Sequence, residues 1–187
     1  MKVIETEIEG VFILEPQVFG DDRGYFFESF SLKHFEEKVS KTVFVQDNES
    51  KSKYGVLRGL HYQLPPYTQA KLVRVVKGRV LDVAVDIRRG SPTFGKYVAV
   101  ELSEENKLQL FLSKGFAHGF IVLSDYAEFC YKVTDFYHPN DEGGLLWKDP
   151  EIGVEWPMPE GMTEADLTLS DKDKVWSGIS EYVKNRK

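Results

Sequence analysis

Hydrophobic and polar residues alternate along several short segments in the middle of the chain. In the segment 80–87, the odd-numbered positions are all apolar, whereas the other face carries Asp82 and Asp86. This period of two residues is that of a β-strand, whose successive side chains point to opposite sides. Similar patterns predict further strands over residues 71–76, 108–112 and 128–133.

Turn-forming residues separate these segments at short intervals. Glycine, proline, asparagine and aspartate cluster at residues 20–24, 89–92 and 139–144. Many short strands divided by such turns are typical of a β-sandwich or a barrel. The sequence contains no internal repeat, linker or low-complexity tract. We therefore expect an all-β fold in a single domain that spans residues 1–187.

Two segments have helical periodicity instead. In the N-terminal third, Leu32, Phe35 and Val39 fall on one face of a helix that Ser31 can cap. Near the C-terminus, the apolar residues with helical spacing follow Ser170: Val175, Ile179, Tyr182 and Val183. The sequence thus predicts short helical additions at these two places.

Composition and charge narrow the range of functions. The 187 residues include 30 acidic and 24 basic ones, and the net charge of −6 argues against a basic nucleic-acid-binding surface. The longest apolar runs are about five residues, whereas a membrane helix needs roughly 20. The beginning of the chain is acidic where a signal peptide is apolar. With Cys130 as the one cysteine, we expect a cytoplasmic protein that binds neither nucleic acid nor membranes.

A series of short motifs, each weak alone, follows one order along the chain. They are GDDRG at 20–24, VQDN at 45–48, RGLHYQ at 58–63, KLVR at 71–74, DVAVDIR at 82–88, SPTFG at 91–95, GFAHGF at 115–120 and GVEWP at 153–157. This ordered set resembles the dTDP-4-dehydrorhamnose 3,5-epimerases. The resemblance implies a cupin-type β-sandwich or jelly roll, a homodimer, and a double epimerisation without a cofactor.

The resemblance also implies a set of catalytic residues. The substrate, dTDP-4-dehydro-6-deoxy-D-glucose, has a C4 ketone that makes the hydrogens on C3 and C5 acidic. His61 would be the base, since imidazole changes charge near neutral pH. Lys71 would stabilise the enolate oxygen, and Tyr131 would donate a proton on the opposite face. The structural alternatives are a solvated lysine at a strand start and an ordinary core tyrosine.

A histidine base needs an acceptor for its second ring nitrogen, and the family pattern places Asp173 there. Asp171 is the alternative if the alignment shifts by two residues. Ser170 and Asp173 also have the spacing of a helix capping box, which is a purely structural explanation for the same residues.

The diphosphate of such a substrate requires positive charge. The chain has neither a Walker loop nor a glycine-rich dinucleotide motif, so arginine and lysine side chains would bind the phosphates. The resemblance implies substrate binding by Arg23, Glu28, Gln46, Asn48, Arg58, His118, Glu142 and Lys172. Four aromatic residues are candidates for stacking on the thymine: Phe19, Phe26, Phe136 and Tyr137.

Two of these positions have open alternatives. His118 can be a buried histidine bonded to backbone groups, or a donor to the sugar or the phosphates. Asp82 can pair with Lys71 or Arg58, which would avoid an unpaired buried charge.

The four histidines do not suggest a metal centre. Metal-binding cupins carry a second histidine where this chain has Gln63, two residues after His61. Together with His118 this leaves two histidines, a poor ligand set for zinc or iron. His34 and His138 are interpreted as surface residues. We therefore expect no metal and no cofactor.

Three other functions stay open at this point. One is an epimerase that acts at C3 or C5 alone, and another is a sugar-nucleotide-binding protein without catalysis. The third is a metal-dependent cupin. For the homodimer, residues 2–13 could add a strand to a partner's sheet.

Overall fold

Two facing β-sheets form most of the secondary structure of residues 1–184, which the computed structural model describes. The six-stranded sheet has the spatial order β1 (Lys2–Glu5), β2 (Val11–Glu15), β10 (Gln109–Leu112), β7 (Lys71–Lys77), β12 (Tyr126–Val133) and β5 (Gln46–Lys53). The five-stranded sheet has the order β13 (Glu142–Gly144), β6 (Leu57–Gln63), β11 (Phe116–Val122), β8 (Arg79–Asp86) and β9 (Tyr97–Ser103). A separate hairpin pairs β3 (Phe19–Asp21) with β4 (Gly24–Phe26).

Three apolar clusters hold these sheets together. The first lies between the sheets and joins Val73 and Phe129 of one sheet to Ala84 and Phe120 of the other. The second covers the outer face of the five-stranded sheet with residues from the C-terminal third, including Trp156. The third covers the outer face of the six-stranded sheet. The all-β sandwich predicted from the sequence is therefore confirmed.

The two faces of the central strand β8 pack against different parts of the molecule, as the alternation of its residues predicts. Val83 and Val85 pack into the outer cluster, and Ala84 packs into the cluster between the sheets. Both faces are thus covered, and Asp82 on the inner face is 0% exposed. The face that carries Asp82 is polar by composition, yet it faces the interior of the sandwich rather than solvent.

Helix α1 (Leu32–Lys38) forms where the sequence predicts it. Ser31 is the N-cap, and its hydroxyl accepts a hydrogen bond from the backbone N–H of His34 at 3.4 Å. Phe35 is the buried residue of this helix and packs edge-on against Phe111 with ring centroids 5.1 Å apart. This contact fixes α1 against the six-stranded sheet.

Helix α2 (Ile179–Lys184) begins later than the sequence predicts. Ile179 is buried as expected, but Val175 is 78% exposed and lies in the preceding turns. The carboxylate of Asp149 accepts a hydrogen bond from the backbone N–H of Ile179 at 2.7 Å. A distant side chain therefore satisfies the start of the helix, and Ser170 is left to stabilise a turn. Short 3₁₀ turns also occur at Pro139–Asp141 and Glu164–Asp166.

The N-terminal segment joins the chain's own sheet. β1 and β2 form an antiparallel pair, and β2 pairs in turn with β10. The expectation that residues 2–13 extend a partner's sheet is therefore not needed to explain their strands. No helix within residues 1–184 is long and apolar enough to cross a membrane.

Two glycines allow β6 and β11 to cross closely. A Cβ on Gly59 would lie 2.6 Å from the Cα of Gly119, and a Cβ on Gly119 would lie 2.6 Å from the carbonyl oxygen of Arg58. Gly59 also has a φ of +125°, which side chains rarely tolerate. The pairing of these strands sets His61 directly opposite His118.

We predict that Gly59→Ala lowers the free energy of unfolding by about 2–5 kcal/mol, because it adds backbone strain to a steric clash. Gly90→Ala is the matched control, since Gly90 also has a positive φ of +80° but a Cβ there would meet no atom within 4 Å. Guanidinium chloride denaturation measures both variants. Equal losses would contradict the close approach of β6 and β11.

Candidate active site

A cavity of 690 Å³ lies between the two sheets and is bounded on one side by residues 168–173. All four predicted catalytic residues contribute to its wall: His61, Lys71, Tyr131 and Asp173. Six of the predicted substrate-binding residues do so as well: Gln46, Asn48, Arg58, His118, Glu142 and Lys172. Residues far apart in the sequence thus meet at one site.

His61 and Asp173 are in direct contact through the ring Nε2 and one carboxylate oxygen. Ser170 donates a hydrogen bond from its hydroxyl to the other carboxylate oxygen at 2.8 Å. Burial by itself raises the pKa of Asp173, but the contacts with His61 and Ser170 outweigh it, and the pKa lies below the ordinary value. An ionised Asp173 accepts the Nε2 proton of His61, which leaves Nδ1 as the basic nitrogen.

The neighbouring carboxylate of Asp171 has a different role. It is fully exposed and forms an ion pair with Lys174 at 2.9 Å. The side chain that contacts His61 is therefore that of Asp173. The Ser170–Asp173 turn, which resembled a capping box in the sequence, starts no helix and holds this carboxylate.

Lys71 is the first residue of β7 and is partly buried. Its ammonium group forms no hydrogen bond or ion pair with any side chain of residues 1–184. Burial lowers the pKa of Lys71 to about 8, although the charges of Asp82 and Glu142 act in the opposite direction. A cation with this pKa is still largely charged at neutral pH and is free to contact a substrate oxygen.

Tyr131 lies on the wall opposite His61. It belongs to β12 in the six-stranded sheet, whereas His61 belongs to β6 in the five-stranded sheet. Phe129 and Val133 share its strand face and are buried, as the alternation predicts. Burial raises the pKa of Tyr131. The phenol therefore stays protonated at neutral pH and can act as a donor.

His118 is buried and is held by a carboxylate, not by backbone groups. Its Nε2 lies 3.0 and 2.9 Å from the two carboxylate oxygens of Asp82. Asp82 therefore does not pair directly with Lys71 or Arg58, which the sequence left open. The pairing of β8 with β11 places Asp82 opposite Phe120, two residues along β11 from His118, whose ring the carboxylate contacts. Arg58 instead donates a hydrogen bond to the hydroxyl of Ser52 at 3.0 Å.

Polar and charged side chains that suit the diphosphate end of a substrate lie at the rim of the cavity. Lys172 pairs with the two carboxylate oxygens of Glu142 at 2.7 and 2.8 Å. The hydroxyl of Tyr137 donates to Glu142 at 3.3 Å. The amide of Gln46 donates to Asn48 at 2.8 Å. These groups form hydrogen bonds with one another in the protein. A bound ligand could replace one partner in each of these hydrogen bonds.

Arg23 and Glu28 do not line this cavity. Arg23 forms an ion pair with Asp21 and has a side chain that is 90% exposed. Glu28 pairs with Nδ1 of His34 at 2.9 Å, also on the surface. Both belong to the β3–β4 hairpin and the loop that follows it, outside the sandwich.

Sequence reasoning missed some wall residues, notably Gln63, Gln69 and Ser170. Gln63 is buried, and its side-chain oxygen accepts a hydrogen bond from the backbone N–H of His138 at 2.8 Å. Gln63 could have been predicted from the sequence, because it lies two residues after His61 and therefore on the same face of the strand. Within residues 1–184, no group of three or more His, Cys, Asp or Glu side chains is arranged to hold a metal ion.

Comparison with known proteins shows which family this chain resembles. A sequence model of the family described as dTDP-4-dehydrorhamnose 3,5-epimerase matches residues 5–181. This chain belongs to the dTDP-4-dehydrorhamnose 3,5-epimerase family. The Shigella flexneri protein of that name is 62% identical over 92% of this chain and 93% of its own length. The Escherichia coli protein of that name is 54% identical over 98% of this chain and 97% of its own length.

Solved structures of relatives share the fold of this epimerase. A 3,5-epimerase from Legionella pneumophila in complex with dTDP-4-keto-L-rhamnose has a TM-score of 0.90 at 50% identity, over 96% of this chain and 93% of that chain. The epimerase from Mycobacterium tuberculosis has a TM-score of 0.93 at 36% identity, over 99% and 92%. A 3'-monoepimerase from Streptomyces bikiniensis in complex with dTDP-quinovose has a TM-score of 0.87 at 32% identity, over 96% and 89%. The predicted cupin-type fold is confirmed.

We predict that kcat/KM declines above about pH 8, because Lys71 loses its charge there while Tyr131 stays protonated. Lys71→Arg should move this decline to higher pH, since a guanidinium stays charged. Lys71→Met should lower kcat about 100-fold or more at every pH. Steady-state kinetics between pH 6 and 10 measure these effects. A decline at an unchanged pH in Lys71→Arg would contradict the assignment.

Proposed function

We propose that this epimerase inverts both C3 and C5 of dTDP-4-dehydro-6-deoxy-D-glucose to give dTDP-4-dehydro-L-rhamnose, in dTDP-rhamnose biosynthesis. The observation that carries the proposal is the placement of His61 and Tyr131 on opposite walls of one cavity. Inversion at a carbon requires that a proton leave from one face and that another arrive on the other face. A base and an acid on opposite walls meet that requirement without a change of substrate orientation.

In the proposed reaction, Nδ1 of His61 removes the hydrogen from the carbon next to the ketone. Asp173 stabilises the imidazolium that forms, because its carboxylate is held ionised at Nε2. The electron pair moves to the C4 oxygen, where the ammonium of Lys71 stabilises the enolate.

Tyr131 then delivers its proton to the opposite face of the carbon. The phenolate formed and the imidazolium of His61 return to their starting states by exchange with water. Abstraction and delivery are repeated at the second carbon. Each turnover thus conserves protons overall, and we propose that it requires no metal and no cofactor.

We propose that Arg58 and Lys172 bind the diphosphate. Both are exposed at the rim, and a diphosphate would compete with Glu142 for the ammonium of Lys172. Tyr137 and Phe136 are half or more exposed near the same rim and are candidates for contact with the thymine. Gln46 and Asn48 would then bind polar edges of the nucleotide.

We propose further that the enzyme works in the cytoplasm as a homodimer in which Arg23 and Glu28 act at the partner's cavity. The β3–β4 hairpin exposes several large apolar side chains: Phe19 at 56%, Tyr25 at 60% and Phe26 at 70%. Phe19 and Phe26 lie opposite each other in the hairpin, and exposed apolar side chains of this size are typical of an interaction surface. In a closed two-fold dimer, each hairpin would cover the rim of the other subunit's cavity.

Subunit complementation tests this arrangement. We predict that Arg23→Ala and His61→Ala are each strongly impaired, whereas hybrid dimers purified with two different tags recover about half the wild-type activity, since one site per dimer is intact. Hybrids no more active than the two parents would contradict the exchange of hairpins. Light scattering that gives a particle of 21.5 kDa would exclude the dimer itself.

Solvent deuterium tests the reaction. We predict that the product formed in deuterated water carries deuterium at both C3 and C5. His61→Ala should keep the fold and lose this incorporation by a factor of about 100 or more. His34→Ala is the matched control, because His34 is exposed and lies outside the cavity. Near-normal incorporation by His61→Ala would refute the assignment of the base.

The same experiment separates the alternatives. A single-centre epimerase, which the likeness to the 3'-monoepimerase keeps under consideration, gives one deuterium and one inverted carbon. A protein that only binds the sugar nucleotide gives none. A metal-dependent cupin would lose its activity on treatment with a chelator, whereas we expect activity to be retained.

A further inference from the structure

Trp176 lies behind the contact between His61 and Asp173. It follows the turn at 171–175, precedes helix α2, and does not contribute to the wall of the cavity. Its indole Nε1 is buried and forms no hydrogen bond of ordinary length and angle with any group of residues 1–184. A buried donor that lacks such a bond costs free energy, so its position calls for an explanation.

The ring of Trp176 occupies the space that a side chain on Gly144 would take. A Cβ on Gly144 would lie 2.4 Å from both Nε1 and Cε2 of Trp176, and the three atoms nearest to that Cβ all belong to this indole. Gly144 pairs with His61 in the register of β13 and β6. Residues directly opposite each other in an antiparallel pair share one face of the sheet. The N–H edge of the indole therefore lies on the same face as the His61 ring.

The indole N–H acts on the carboxylate of Asp173. Burial by itself raises the pKa of Asp173, and the contact with His61 is the largest of the effects that lower it. The hydroxyl of Ser170 and the indole N–H of Trp176 lower this pKa further. A carboxylate has about four lone-pair sites, so it can accept from the indole as well as from His61 and Ser170.

Backbone contacts hold the segment around Trp176 independently of its ring. The N–H of Leu146 donates a hydrogen bond to the carbonyl oxygen of Ser177 at 3.0 Å. The N–H of Ile179 donates to the carboxylate of Asp149 at 2.7 Å. The path of the chain is thus fixed without the indole N–H, which leaves that group for another role.

We propose that Trp176 is a positioning residue for the catalytic base. Its indole lies against Gly144, offers a third donor to the Asp173 carboxylate and restricts the rotation of that carboxylate. One carboxylate oxygen then stays aligned with Nε2 of His61, and Nδ1 stays aimed at the substrate carbon. Trp176 acts through Asp173 and touches no substrate. The inference rests on the proposed function, because it takes His61 as the base.

The substitution Trp176→Phe tests this role, since it keeps an aromatic ring and removes the N–H. We expect kcat to fall about 10-fold while KM changes by less than about twofold, because the wall of the cavity is intact. Trp156→Phe is the matched control. Its buried Nε1 donates to the carbonyl oxygen of Trp147 at 2.7 Å, outside the cavity. This control should leave kcat unchanged.

The ratio of the two kinetic constants separates positioning from simple support of the chain. A looser turn would displace Lys172 together with Asp173, so KM would rise. An unchanged kcat in Trp176→Phe, or a loss confined to KM, would overturn the proposal. A wild type that incorporates no deuterium into the substrate would overturn the proposed function instead.

A second variant moves the indole without removing its N–H. Gly144→Ala places a methyl group where the ring lies, so kcat should again fall about 10-fold. The double variant with Trp176→Phe should be no slower than Trp176→Phe alone, because both changes remove the same contact. Losses that multiply in the double variant would contradict the inference.

Nuclear magnetic resonance of the wild-type protein tests the contact without any variant. The indole ¹⁵N–¹H resonance of Trp176 should move when the His61 ring is protonated in a pH titration, because the shared carboxylate couples the two groups. The indole resonance of Trp156 should not follow that titration. A Trp176 resonance that is insensitive to the protonation of His61 would refute the contact.

Discussion

The interior of a β-sandwich tolerates a charged group only where a neighbouring group compensates it. Asp82 is fully buried and depends on His118, and Asp173 is buried between His61 and Ser170. Both carboxylates have a single orientation because strands or turns fix their partners. This compensation allows a polar cavity to exist inside an otherwise apolar core.

The same pairings orient two histidine rings in the cavity wall. Each buried carboxylate holds one nitrogen of one histidine, and the other nitrogen of that ring remains for a ligand. Lys71 has no such partner among residues 1–184, and its lowered pKa reflects the cost of burial. The site thus combines two oriented rings with one cation that a substrate oxygen can stabilise.

The two sheets also fix the positions of the proposed base and acid relative to each other. His61 is supplied by the five-stranded sheet and Tyr131 by the six-stranded sheet, so the distance across the sandwich separates base from acid. β6 and β11 approach closely at Gly59 and Gly119, where the register of their pairing shifts, and the pairing sets the two histidines side by side. The stability of the fold and the geometry of the site therefore depend on the same strand crossing.

Most of the strands, helix α1 and most of the residues of the cavity wall could be predicted from the sequence. The alternation in β7, β8 and β12 predicted the strands correctly. In β7 and β8 each face packs against a different apolar cluster, whereas in β12 one face packs between the sheets and the other carries Glu128, Cys130 and Lys132. Helix α1 followed from its cap and its apolar face. The resemblance to a family supplied the wall residues, which neither periodicity nor composition could bring together, since they come from separate strands.

Other features depend on contacts between distant parts of the chain. The start of α2 is set by Asp149, and the partner of Asp82 is set by strand pairing, so local spacing predicted neither. Arg23 and Glu28 lie outside the cavity because their hairpin leaves the sandwich. A single sequence carries no signal for where such a hairpin is placed.

The most direct test of the two-wall account is the stereochemistry of exchange in Tyr131→Phe. In deuterated water, this variant should exchange the hydrogens next to the ketone through His61 and return deuterium to the same face, so that recovered substrate is labelled but not inverted. Inversion at the wild-type rate, or a complete absence of exchange with an intact fold, would contradict the account.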